Sequence, residues 1–134
     1  MHEYMSRTQL WELLFPGLPE EVSRARRWTR DVLADCPYAD DAALIVTELG
    51  TNAVTHTTSP DFRVTIRHAR ATVTITVSDR GFSATVPCPT TPYGGGTHGR
   101  GLFLVTQLAT HVRITNRPYG HTIAAHLVPE VPAC

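Results

Sequence analysis

The chain contains no lysine; apart from histidine, every basic residue is arginine. A Walker-type P-loop needs its lysine on the phosphates, so that nucleotide site is excluded, and lysine Schiff-base chemistry goes with it. Net charge is absent too. Acidic and basic residues balance at a formal +0, so no global field favours nucleic acid or an anionic membrane. The three cysteines, Cys36, Cys88 and Cys134, form no C-x-x-C pair. Their odd number and unrelated spacings indicate neither a zinc site nor a disulfide framework, and a reducing cytoplasm is the simpler compartment. No segment approaches the ~20 apolar residues of a membrane span, and the polar N-terminus has no apolar run of signal-peptide length. The expectation is a soluble cytoplasmic protein that binds neither nucleic acid nor membrane. At 134 residues the chain suits one domain with its own core.

Periodicity supplies the elements. Residues 9–15 are apolar-rich and stopped by Pro16-Gly17, which predicts a strand. Pro19, Glu20 and Glu21 open a helix: proline suits a first turn, and acids suit the positive end of the dipole. Val22, Ala25, Trp28, Val32 and Leu33 continue it at helical spacing until Cys36-Pro37. Its other side carries Arg24, Arg26, Arg27 and Arg30, either a solvated surface or a docking face for an acidic partner. Asp40 is the expected cap of a second helix running to about His56. Residues 62–67 and 71–78 alternate apolar and polar, which predicts an antiparallel hairpin across His68-Ala69-Arg70. Residues 82–98 lack periodicity and hold Pro87, Pro89, Pro92 and three consecutive glycines. A stretch of that length is a functional lid or is disordered. Residues 101–109 predict a third helix, and 111–115 and 122–127 the last two strands. No internal repeat or second domain is visible. Helices on one face of a mostly antiparallel, mixed sheet make an α+β two-layer sandwich.

Three segments carry chemistry. Glu48, Asn52 and His56 are spaced by four, so on a helix they form one polar row. Their flanks are apolar and would face a core, and a polar row on a half-buried helix needs partners. A carboxylate beside a carboxamide offers hard oxygens for Mg²⁺, and the carboxylate can also take a proton. A solvated helix face accounts for the same row. His56 is either a capping or packing histidine or a nucleotide contact. Asp79-Arg80-Gly81 ends a strand. It is either an ordinary turn or a carboxylate for an exocyclic amine, followed by a glycine that lets the chain turn sharply. Gly99-Arg100-Gly101-Leu102 runs a glycine-rich loop into an apolar helix. Exposed N–H groups there would attract phosphate, and Arg100 could add a charge-assisted contact; a flexible hinge uses the same residues. A hydrolase triad drawn on Ser78 and Asp79 lacks any nucleophile-elbow sequence.

In order, a Glu/Asn helix, a strand, Asp-x-Gly, a long loop, Gly-x-Gly and a helix resemble the ATP-binding domain shared by histidine kinases, the gyrase and Hsp90 ATPases, and the bacterial anti-sigma-factor serine kinases. The small size and the Gly-Arg-Gly-Leu-x-Leu-Val form of the last box are most similar to the anti-sigma-factor kinase branch. The resemblance runs from about Leu10 to Leu127 and implies a single ATP-binding domain with its core at about 9–128. It implies ATP and Mg²⁺ as cofactors. By resemblance, Glu48 is the general base for a serine hydroxyl, and Asn52 is the magnesium ligand that bridges the phosphates. Asp79 reads adenine, Gly81 lets the base approach, and Gly99, Arg100, Gly101 and Leu102 form the phosphate box. Thr122 matches a family threonine near adenine. The partners implied are an antagonist protein that accepts phosphate, a sigma factor, and a second copy of the chain. The chain departs from the family at Ser83, where kinase members often carry a glycine. Thr97 and His98 stand where some carry a basic residue, and His121 where many carry lysine. The expected activity is therefore serine/threonine phosphotransfer. The alternative is a non-catalytic module, with or without ATP, that sequesters a protein; a simple ATPase ranks third.

Overall fold

The computed structural model describes residues 8–82 and 97–129. In order, its elements are β1 (Thr8–Pro16), α1 (Pro19–Val32), α2 (Ala39–His56), β2 (Asp61–Ala69), β3 (Thr72–Asp79), α3 (Thr97–Leu108), β4 (His111–Arg117) and β5 (Gly120–Leu127). The strands form one sheet in the order β1-β2-β3-β5-β4. Every pairing among them is antiparallel, where the sequence reading allowed a mixed sheet. No helix among the described residues is long and apolar enough to cross a membrane.

Strand alternation separates the two faces. Phe62, Val64 and Ile66 on β2, Val73, Ile75 and Val77 on β3, and Ile123, Ala125 and Leu127 on β5 are buried. Their alternates, among them Arg63, Thr65, Thr74, Thr76, Ser78 and Thr122, lie on the helix-free face. All three helices cover the apolar side: α2 on β2 and β3, α1 on α2 and β1, and α3 on α2, β4 and β5.

On α1, Val22, Ala25 and Thr29 are buried. The Thr29 hydroxyl donates to the Ala25 carbonyl at 2.8 Å, which satisfies it inside the core. Phe15, fully buried, stacks on Phe62 at 5.4 Å and meets Trp28 edge-on at 5.8 Å. Each of the two fully buried phenylalanines contributes roughly 1.5–3 kcal/mol by burial. Gly50 of α2 lies against that cluster, and a Cβ there would make ordinary contact, 3.4 Å from the Phe62 ring and 3.5 Å from Val22.

Three sequence expectations shift. Asp40 does not cap α2: Tyr38 holds the N-cap position, without a side-chain cap bond. Asp40 lies in the first turn, where its charge faces the positive dipole end, and pairs with Arg30 at 3.3 Å. The hairpin turn falls later than expected. Ala69 pairs with Thr72, leaving Arg70 and Ala71 as a two-residue turn. Arg70 takes φ 57°, as tight hairpin turns of this length favour. Finally, α3 begins at Thr97 rather than Gly101, so the glycine-arginine box lies within the helix.

Candidate functional site

The polar row on α2 meets α3. Glu48 is half-buried, and its carboxylate rests against Gly101, where an added Cβ would lie 2.6 Å from Glu48 Oε1. One turn further along α2, the Asn52 side-chain nitrogen is buried without a hydrogen-bond partner. A donor left so costs about 1–3 kcal/mol, and an oxygen-rich ligand would relieve it. Among the described residues, no group of three or more His, Cys, Asp or Glu side chains converges to hold a metal. Mg²⁺ does not require one: it keeps several waters and binds through one or two protein oxygens together with substrate phosphates. The side chains present fit a metal that arrives with a nucleotide, for which the Asn52 side-chain oxygen would be the protein ligand. His56 is the last residue of α2, where a basic side chain suits the negative end of the dipole.

Asp79 ends β3 on the helix-covered face, directly across from His121 on β5. His121 Nδ1 lies 3.0 Å from Asp79 Oδ1 and 3.3 Å from Oδ2, and both side chains are only 8% exposed. A carboxylate accepts only, so Nδ1 carries the donated proton. The Gly81 N–H also donates to Oδ1, at 3.1 Å. Asp79 and His121 line a cavity of about 500 Å³ at the β4–β5 turn, together with Arg117, Tyr119 and Gly120. Gly120 makes this possible, because a Cβ there would stand 2.5 Å from the Asp79 carbonyl oxygen. Asp79 also borders a smaller cavity of about 270 Å³ that contains the 2.7 Å ion pair of Arg80 with Asp61. The hydrogen bond from Arg80 holds the Asp61 carboxyl below the usual carboxylate range. Of the two cavities, the larger is lined by both Asp79 and its buried partner His121.

Gly81 serves a different purpose from the sharp turn expected. Its backbone lies outside the left-handed region, and an added Cβ would stand 2.7 Å from Ser59 Cα. The chain end of β3 is stitched here to the turn after α2. Arg80 N–H donates to Ser59 Oγ at 3.1 Å, Phe82 N–H to Thr58 Oγ1 at 2.9 Å, and Thr58 N–H to the Phe82 carbonyl at 3.0 Å. These bonds tie Asp79 and the Asn52 end of α2 into one frame.

The remaining expected site residues divide. Gly99 and Arg100 lie in the first turn of α3, whose N–H groups have no partners within the helix, and Arg100 is exposed. Gly101 lies one turn in, so its main effect is room for Glu48 rather than a free N–H. Leu102 is 1% exposed and part of the core. Thr122 points to the face opposite Asp79 and His121, 3.3 Å from the Ser78 hydroxyl, and is also among the residues that line the cavity. Ser83 and residues 84–96 of the expected lid lie outside the described residues. Two features escaped the sequence reading. One is the Asp79–His121 bond; His121 stood out there only as a departure from the resemblance. The other is an exposed aromatic pair, Phe82 and Tyr119, 6.3 Å apart beside the cavity. A flat apolar ring suits a nucleobase face, but no sequence spacing brings these two together.

A comparison with curated proteins gives no match. Among solved structures, the chain is similar to the RsbU and RsbW domains of Rv1364c from Mycobacterium tuberculosis, with 19% identity and a TM-score of 0.69. That similarity covers 89% of this chain but 32% of the other, and it shows a shared fold. Residues 15–127 match the family described as the histidine kinase-like ATPase domain, and with most of its length so matched, the chain belongs to that family.

Proposed function

We propose that this protein binds Mg-ATP and transfers the γ-phosphate to a serine or threonine of a small antagonist protein, as an anti-sigma-factor-type kinase. The observation that carries the proposal is the buried, unpartnered side-chain nitrogen of Asn52 one helical turn from the Glu48 carboxylate. When bound, Mg²⁺ would supply charge neutralisation on the phosphates. Asn52 would hold it, and its amide N–H would gain an oxygen partner. Asp79 would accept a hydrogen bond from the exocyclic amine of adenine, while the first turn of α3 and Arg100 would attract the phosphates. Glu48 would orient the acceptor hydroxyl and receive its proton. The bond from the γ-phosphorus to the bridging oxygen breaks, the bond to the serine oxygen forms, and ADP leaves with that bridging oxygen. The order of the motifs and the fold shared with a structure that contains an RsbW domain support this branch. The same reading places the protein in the cytoplasm, with a sigma factor and an antagonist as partners, acting as a homodimer.

Calorimetric titration with ATP, with and without Mg²⁺, tests the site. Wild type is expected to bind in a magnesium-dependent way and Asn52→Ala to lose that dependence. Phosphorylated antagonist should then appear with wild type and not with Glu48→Ala. Nucleotide binding without phosphotransfer to the true partner would replace the kinase with a sequestering module.

A further inference from the structure

We infer that His121 is a positioning residue for Asp79, and that the pair, rather than Asp79 alone, selects a base bearing an exocyclic amine over one bearing an oxo group. This rests on the nucleotide reading above and adds a residue to it. Asp79 Oδ1 is anchored by two donors, the Gly81 N–H at 3.1 Å and His121 Nδ1 at 3.0 Å, whereas Oδ2 has only the longer 3.3 Å contact. A carboxylate oxygen accepts about two hydrogen bonds. One oxygen is therefore committed and the other keeps acceptor capacity, and rotating the carboxylate would break the anchor.

His121 is itself held in place. It is 8% exposed and pairs across the sheet with Asp79 in the β3–β5 register. Gly120, just before it, packs against the Asp79 carbonyl. The cavity of about 500 Å³ opens beside the pair. In a buried site, an acceptor held in one orientation rewards a donor and penalises another acceptor, because the mismatched polar groups stay unpaired. An amine would gain a bond here, and an oxo group would meet lone pairs. Without His121, Asp79 could turn away, and discrimination between the two bases would weaken along with affinity.

Titrations of wild type, His121→Leu and His121→Asn with Mg-ATP and Mg-GTP test this, with thermal unfolding as the check on folding. Asparagine places an amide N–H near the position of Nδ1–H. Wild type should prefer ATP. His121→Leu should lose about tenfold in ATP affinity and most of the preference over GTP, and His121→Asn should recover both. If leucine leaves affinity and preference unchanged, the inference is overturned. Two other results overturn it equally: ATP and GTP weakening by the same factor, as a merely structural role would give, or a folded His121→Asn that recovers neither property. If the leucine variant does not fold, His121→Ala, which carries no side-chain donor, takes its place. Wild type that binds neither nucleotide overturns the nucleotide reading and this inference together, whereas wild-type binding with an indifferent His121 overturns the inference alone.

Discussion

The carboxylate of Glu48 rests on the backbone of Gly101, so closely that a Cβ there would lie 2.6 Å from Oε1. The contact joins α2 to α3 and places the group proposed as general base beside the helix proposed to receive phosphate. The glycine is there for its missing side chain.

Gly101→Ala should therefore push the Glu48 carboxylate aside. The displaced atom is the far end of a flexible side chain, so the fold survives. Phosphotransfer should drop at least about tenfold, towards the level of Glu48→Gln, because a displaced base forfeits part of the 10²–10⁴-fold that such groups contribute. ATP affinity should change little. Transfer assays on the antagonist beside calorimetry separate the two effects, and wild-type transfer in Gly101→Ala would remove any catalytic meaning from the contact.

At Gly81 the neighbour is backbone, and backbone cannot swing away. Alanine there meets Ser59 Cα at 2.7 Å and disturbs the bonds that hold β3 to the turn after α2. Gly81→Ala should cost about 1–3 kcal/mol in urea denaturation, as overpacking generally does. An unchanged midpoint would show that this turn yields freely.

Arg70 offers the opposite test. Its φ of 57° carries a left-handed penalty of roughly 1–2 kcal/mol for a residue with a Cβ. Glycine removes that penalty and returns about 0.5–1 kcal/mol in chain entropy. Arg70→Gly should therefore stabilise the hairpin by about 0.5–1 kcal/mol, read as a higher urea midpoint at unchanged slope.

Acid should weaken the protein through His126. Burial first, then the charges of His111 and Arg113, push its imidazole below the ordinary value near 6.5, and Thr74 Oγ1 lies 3.1 Å from Nδ1. The unfolded chain then binds this proton more readily than the folded one, so stability rises with pH across the interval between the two values. The contribution is complete above about 6.5 and is lost as pH falls towards the lower folded value. Asp61, also lowered, adds a separate loss, below the usual carboxylate range. Denaturation curves at several pH values should show His126→Gln flattening the upper window only. An identical slope in that variant would assign the acid sensitivity elsewhere.

Much of the architecture was legible in the sequence because its signals are local. The i, i+4 spacing of Glu48 and Asn52 places them on one helix face whatever surrounds them. Two-residue alternation marked β2 and β3, and Pro19 with its following acids marked the start of α1. Helix ends were harder to read. Asp40 has capping chemistry, yet the backbone entered α2 at Tyr38. The box at Gly99 reads as a loop by composition, but α3 absorbs it.

What sequence alone determined is therefore the set of elements, the two-layer class and the α2 polar row, all governed by short-range periodicity. Tertiary structure decided which residues meet. Asp79 and His121 are 42 positions apart, and only the β3–β5 register makes them neighbours. A slip of one residue would have turned Thr122 inward and His121 out. Likewise the needs of Gly81 and Gly101 come from Ser59 and Glu48, partners brought close by chain packing that no local spacing records.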